Sequence, residues 1–589
     1  MTGKRDRIVI ANCGGFWGDD PTAARRQVEG GPIDYLVMDY LAEVTMAVLQ
    51  KQRRRRPEGG FASDFLVQLR DVLPACVERG IRIISNAGGL NLLQCRKEVD
   101  KLAAELGLAD RVTVGVVLGD DIFGTLDDLG EPLAHMDTGR PLSDIRDDVL
   151  SANVYLGAAP VARALEMGAN VVITGRVADA AVTLAPMMFE FGWSADDWDR
   201  LAAGTVAGHI IECGTQCTGG NFTDWRDVPS FENMGYPLVE ARADGTFTVT
   251  KHEGTGGLVN VHTVSEQLLY EIGAPKYLAP DCVAHFDSIR LEQEGPDRVR
   301  VSGIRGGPAP PKLKVSINFS QGYRAFGRLM VAGPDALAKA RKVAEVFWQS
   351  AGGKEFYADA DTKYIGWNAA HPPVGDEPGE VLLQVAVRDD RAAKIRKHFA
   401  PQLVPKVLST VPGITYLADQ GRPRASGVIG HWPALIARDR VEMRVVVGDQ
   451  AEVTVPHGPT GEAPPFVAAD GPAPPEWTGC IRTAPLSRFC LARSGDKGDI
   501  CNIGVIARSP AIYAWMRDHL TPEFVRRRFE GICRGEVERF ELPNLLALNF
   551  LLHESLGGGG MLSLLLDTHG KTYAHYLLSA AVEMDEALL

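Results

Sequence analysis

Five short apolar runs in the first third of the chain each break off into a loop of glycine, asparagine, aspartate or arginine. Arg7-Ile-Val-Ile-Ala leads into Asn12-Cys13-Gly14-Gly15, and Tyr35-Leu-Val-Met leads into Asp39. Ile81-Arg-Ile-Ile-Ser85 leads into Asn86-Ala87-Gly88-Gly89, Val112 to Leu118 into Gly119-Asp120-Asp121, and Asn170 to Thr174 into Gly175-Arg176. Near-continuous apolar strands separated by helical segments, such as Leu41 to Gln50, suit strands buried on both faces. The expected fold class is therefore α/β, with a mostly parallel sheet covered by helices. In open parallel sheets ligands sit beyond the carboxyl ends of the strands. The five loops are thus expected to line one crevice.

The pattern changes near residue 284. Ala284 to Glu292, Arg298 to Ser302 and Lys312 to Asn318 alternate as half-buried strands do. Helices are predicted over Pro334 to Ala351 and Arg391 to Leu408. A chain of 589 residues is too long for one core. The reading is an α/β domain over 1–283, an α+β subdomain over 284–453, a Pro/Gly linker over 454–480, and a compact C-terminal α+β domain over 481–589. In the last, strands flank the turn Arg493-Ser494-Gly495-Asp496-Lys497-Gly498-Asp499, and a helix is predicted over Leu542 to Leu556, before Gly557-Gly558-Gly559-Gly560.

The formal net charge of −13 argues against nucleic acid as a partner, because phosphate backbones need a basic face. The run Lys51-Gln52-Arg53-Arg54-Arg55-Arg56 reads either as a solvated helix end or as a phosphate site. The 10 cysteines are scattered without a CxxC pair, as reduced cytosolic thiols are. No basic-then-apolar leader and no run of ~20 apolar residues occurs, so a cytoplasmic protein without a membrane partner is expected.

Several loops carry chemistry. Asn12, Gly14 and Gly15, like Asn86, Gly88 and Gly89, form N-x-G-G strand ends that either let backbone approach a ligand or simply turn tightly. Neither matches a dinucleotide fingerprint. Asp39 and Glu43 stand four apart and either tune each other's protonation or start a helix. Arg176 offers a planar fork for carboxylate or phosphate, with Asp179 three residues on to orient it. His209, Glu212, Cys213 and Cys217 are close in sequence. Glu212 is a candidate general base and Cys213 a candidate nucleophile, while a metal site from His209 and the two cysteines is not expected. His252 and Glu253, beside Gly256 and Gly257, combine proton transfer with anion-binding backbone or are plain loop residues. Arg493, Ser494, Asp496 and Lys497 crowd one hairpin, as an interface or a ligand edge would.

These motifs together resemble the bacterial acyclic terpene utilisation A family. The resemblance rests on the N-x-G-G loops, Thr174-Gly-Arg176-Val-Ala-Asp179, the Cys213 region, Ser494-Gly-Asp-Lys-Gly-Asp499, Glu541-Leu-Pro-Asn544-Leu and Ala547-Leu-Asn549-Phe550. It runs from Ile8 to about Ala581. It implies a large N-terminal domain joined to a C-terminal domain with a ferredoxin-like fold, and a place in the catabolism of acyclic terpenes such as citronellol and geraniol through acyl-CoA thioesters.

The expectation is an enzyme of lyase or hydratase type acting on an acyl-CoA or carboxylic acid, assembled as a homo-oligomer, with no cofactor beyond a coenzyme A moiety carried by the substrate. Glu212 or Glu253 would move the proton, Arg176 would hold a carboxylate or thioester oxygen, and Asn86 with the Gly88 and Gly89 amides would stabilise an enolate oxygen. The alternatives are a non-catalytic subunit that binds a pathway enzyme, and a thiol enzyme using Cys213.

Overall fold

The computed structural model describes residues 5–130, 132–366, 379–465, 471–473 and 479–588; within the helix Glu43–Arg55 the side chains of Glu43 and Val44 lie outside the description. Parts of the 454–480 stretch also lie outside the described residues.

The five apolar runs form the strands Arg7–Asn12, Tyr35–Met38, Arg82–Ser85, Val171–Thr174 and Val114–Leu118, in that spatial order and all parallel. They are the centre of an 11-stranded sheet. The expectation of a mostly parallel sheet gives way to a mixed one. On one side the hairpin Pro237–Arg242 and Phe247–Lys251 adds antiparallel to Arg7–Asn12, followed by Arg298–Ser302 and Arg290–Gly295. On the other, Met443–Val447 and Val453–Val455 add antiparallel to Val114–Leu118. The parallel centre is buried on both faces, whereas the outer strands are hairpin-linked and need no crossover helix.

The 284–453 stretch is interwoven with the first 283 residues. Its 21-residue strand Lys312–Ala332 pairs with Ser426–Ala437 and Glu380–Asp389, and also with Val149–Val154 from the N-terminal stretch. The helix Ala336–Ala351 forms as predicted. The helix predicted over Arg391 to Leu408 is broken into Ala392–Lys394, a π-turn over Ile395–Phe399 and Lys406–Ser409; Pro401 and Pro405 remove backbone donors along it.

In the C-terminal domain Cys490–Lys497 and Ile500–Ala507 pair as a hairpin, so most of the polar motif lies on strand rather than turn. Ile500–Ala507 pairs with Ala547–Leu552, which pairs with Val537–Leu542, giving an antiparallel four-stranded sheet. Residues 547–552, read as helix from sequence, are thus a central strand. Cross-strand partners share a face. Arg493 with Gly504 and Gly495 with Asn502 face the large domain, while Ala492 with Val505 and Ser494 with Ile503 face the domain's own core and helices. Among the described residues no helix is long and apolar enough to cross a membrane.

Candidate functional site

The carboxyl ends of the parallel strands bring Asp39, Arg176, Asp179 and Glu212 into one electrostatic cluster. Arg176 is 2% exposed. Its Nη1 donates to the Leu41 carbonyl at 2.5 Å and pairs with Asp179 Oδ1 at 2.9 Å, and its guanidinium lies 4.2 Å from the Tyr155 ring centroid. The Asn86 amide is used at both ends. Nδ2 donates to Asp39 Oδ1 at 2.5 Å, and Oδ1 accepts from the Tyr40 N–H at 2.8 Å. Asn86 therefore orients a carboxylate. Burial drives the Asp39 carboxyl well above its ordinary range and the Asp179 charge adds to this, outweighing the opposing effect of Arg176.

Glu212 follows the helix Trp198–Ile211. Burial raises its carboxyl well above the ordinary range, with Asp179 and Glu271 adding and Arg176 and Lys497 opposing. Burial also lowers the neighbouring His209 to about 4, and Lys497 contributes. The His209 Nδ1 to Glu212 Oε1 contact at 3.1 Å thus joins an imidazole and a carboxyl whose charged forms burial disfavours alike. Cys213 belongs to the same wall. Burial, then the charges of Glu212 and Glu271, hold its thiol far above the thiolate range, which disfavours a nucleophilic role. Gly15 fits against this wall because a Cβ there would stand 2.8 Å from the Cys213 carbonyl carbon.

The C-terminal domain closes the cluster. Lys497 Nζ donates to the Glu271 carbonyl at 3.2 Å and lies 5.9 Å from the Tyr277 ring centroid. Lys571 Nζ reaches Glu271 Oε1 at 3.1 Å, Asp496 Oδ1 at 3.3 Å and the Tyr270 hydroxyl. Glu271 keeps 38% of its side chain exposed although burial is the first cause of its raised pKa. Protein crowds it on most sides and solvent still reaches it, as on the wall of a cleft. Asp179 is 35% exposed in the same place. Arg493 and Ser494 spend their polar atoms on bonds within the protein. Arg493 makes a buried pair with Glu266 at 2.7 Å, and Ser494 Oγ bonds Gly570 O and Ala574 N within its own domain.

Other predicted residues stand apart. Asn12 closes its own turn with Gly14, accepting from the Gly14 N–H at 3.0 Å and donating to its carbonyl at 3.2 Å. Gly88 and Gly89 serve close packing, since a Cβ on Gly88 would lie 2.7 Å from Ile173 and on Gly89 2.4 Å from Leu49. His252 packs against Gly30 and Gly31 with Nε2 2.9 Å from the Gln27 carbonyl, and Glu253 is exposed. Gly256 and Gly257 pack on the backbone of Glu232 and Thr218. The expected crevice therefore gathers Asp39, Asn86, Arg176, Asp179, Glu212 and Cys213 and leaves the 252–257 loop outside. A polar depression between Arg242, Asp244, Glu294 and Arg300 lies at the opposite, amino-terminal edge of the sheet.

Tyr155, Glu271, Tyr277, Lys314 and Lys571 were not singled out from sequence. Burial, then Glu212 and Asp179, raise the Tyr277 phenol, so it stays a donor. The Lys314 ammonium lies 4.8 Å from the Tyr155 ring centroid, on the ring that also meets Arg176. The Tyr277 triplet Lys276–Leu278 is a short edge strand, marked in sequence only by an aromatic between a lysine and a leucine. Among the described residues no group of three or more His, Cys, Asp or Glu side chains is arranged to hold a metal ion.

Comparison with known proteins gives two matches. Residues 8–447 match the model of the acyclic terpene utilisation family protein AtuA, and residues 484–583 match the AtuA ferredoxin-like domain. No curated protein matches the chain. The strand order of the C-terminal sheet agrees with the second match: read cyclically, strand–strand–helices–strand–strand–helix gives the ferredoxin-like order with its chain start shifted. The matched regions span most of the chain and divide it where the structure does, and the chain belongs to the acyclic terpene utilisation family AtuA.

Proposed function

We propose that this protein is a lyase or hydratase of acyclic terpene catabolism, acting on an acyl-CoA or related carboxylic acid in the cleft between Arg176, Glu212 and the C-terminal domain. The observation that supports it most is the opposed pair of environments around Asp179. Asp179 is ion-paired with Arg176, while Glu212 and Asp39 are driven toward their protonated forms. Titratable groups pushed apart in this way divide into acid and base.

In a β-hydroxyacyl thioester Asp179 takes the proton from the α-carbon. Its electron pair forms the new carbon–carbon double bond. Protonated Glu212 gives its proton to the departing hydroxyl, and water leaves. Hydration of the enoyl thioester is the reverse. The Tyr277 phenol is suited to donate to the enolate oxygen, and Lys497 and Lys571 favour an anionic substrate at the mouth. Arg176 positions Asp179 and screens its charge. Proton transfer suffices, so the reading needs no cofactor beyond coenzyme A on the substrate.

The test is a panel of branched 3-hydroxyacyl- and enoyl-CoA thioesters with purified protein, read by mass spectrometry. Interconversion is expected, with Glu212→Gln slowing kcat by ~10²–10⁴-fold. Failure of every thioester and free acid to react, or an unchanged rate in Glu212→Gln, overturns the proposal.

A further inference from the structure

The basic run at the end of the helix Glu43–Arg55 has company that the sequence does not reveal. The helix packs on the strand Lys312–Ala332, which carries Arg324. Lys51 and Arg55 are four apart on that helix and so share a side, where like charges repel. Arg324 is half-buried, and its Nη1 donates to the carbonyls of Met561 at 2.6 Å and Ser563 at 3.2 Å in the C-terminal domain. Among the described residues no acidic side chain pairs with Lys51, Arg55 or Arg324. Burial, then Arg55 and Arg324, lower the Lys51 ammonium, consistent with three uncompensated cations near one another.

The backbone beside Arg324 is unusual as well. Gly557, Gly558, Gly559 and Gly560 carry φ of 64°, 90°, 71° and 45°. Four successive positive-φ residues favour glycine; the Gly558 N–H donates to Asp499 Oδ1 at 2.8 Å and the Gly559 N–H to the Leu556 carbonyl, so the loop already wraps one carboxylate. The amides of Gly560 and Met561 donate to no acceptor among the described residues.

We propose that Lys51, Arg55 and Arg324, with the Gly560–Met561 amides, form an anchoring site for phosphate groups at the far end of the substrate. The helix gives the spacing. Its first turn follows Leu41, whose carbonyl holds Arg176, and Lys51 lies nine residues beyond Ala42, ~14 Å along the axis at ~1.5 Å per residue. A substrate spanning both places carries its phosphates far from its reacting carbon. This is the build of a coenzyme A thioester, with pantetheine between the acyl group and a 3′-phosphorylated adenosine diphosphate. The assignment rests on the acyl-CoA reading above.

The experiment is calorimetric titration of the full-length protein with adenosine 3′,5′-bisphosphate, with ADP and inorganic phosphate as comparison arms. Saturable binding that weakens with added salt is expected, with the bisphosphate tighter than ADP or phosphate. Lys51→Glu and Arg55→Glu, both at an exposed helix end, should each weaken it tenfold or more, while Glu212→Gln should bind as wild type. Absence of saturable bisphosphate binding, or equal affinity in wild type and both charge reversals, overturns the site. The two proposals fail separately. Bisphosphate bound through Lys51 without turnover of any thioester keeps the anchor and removes the reaction, and turnover of free acids without nucleotide binding does the reverse.

Discussion

Arg493 of the C-terminal domain and Glu266 of the large domain form an ion pair at 2.7 Å with their side chains 3% and 0% exposed. Glu266 Oε1 accepts from the Thr223 N–H, and the Arg493 guanidinium also reaches Gln216 Oε1. Gln216 lies three residues past Cys213, so the pair ties domain docking to the wall of the cleft. Removing one partner leaves a buried charge. Arg493→Met should destabilise the protein by ~3–5 kcal/mol, and the double variant Arg493→Met/Glu266→Leu should recover much of that loss in urea denaturation. Equal losses in the single and double variants would show that the charges themselves contribute little.

The two domains also meet through glycines. A Cβ on Gly504 would stand 2.5 Å from Leu269 Cβ, at the heart of the docking face. Gly504→Ala should therefore cost ~1–3 kcal/mol as overpacking and loosen docking rather than either core. Limited proteolysis should then cut within 454–480 faster than in the wild type, with both fragments persisting. Unchanged cleavage would place the strain elsewhere.

How much of this was readable in advance depends on range. Apolar runs such as Val171–Thr174 announce buried strands and their polar ends because burial on both faces leaves a local trace. Asp39, Arg176 and Glu212 were visible as chemistry-bearing types at strand or helix ends. The antiparallel flanks were not, since pairing of Pro237–Arg242 with Arg7–Asn12 spans more than two hundred residues and leaves no periodic signal in either. Ala547–Leu552 misled because its leucines fit both a helix and a buried strand. Glu271 and Tyr277 reach Glu212 only through the folding of distant segments of the large domain, and Lys571 only through docking of the C-terminal domain, so no local motif could name them.

Asp120 gives the protein a pH-dependent stability with a definite sign. Its Oδ2 accepts from Asn153 Nδ2 at 2.9 Å and from the Arg176 N–H at 2.8 Å, and Gly175 leaves no room for a Cβ beside it. Burial lifts the carboxyl from 3.8 to about 7, with the Asp121 charge adding and the two donors opposing. Between those values the native state holds a proton that the unfolded chain has released. Stability therefore falls as pH rises through the window, by a few kcal/mol at ~1.4 kcal/mol per pKa unit. Asp120→Asn should flatten this slope in urea denaturation from pH 4.5 to 7.5, and an identical slope would assign it to other groups.

Cys213 and Cys480 should differ sharply toward alkylation. Cys480 is exposed, whereas burial above all holds the Cys213 thiol far above the thiolate range. The thiolate is the reactive form. Iodoacetamide at pH 7.5 should thus label Cys480 first in native protein, with Cys213 at least tenfold slower by peptide mass spectrometry, and the proposed thioester turnover should survive the first label. Rapid labelling of Cys213 with parallel loss of turnover would instead make it the nucleophile and displace Glu212 and Asp179 from the chemistry.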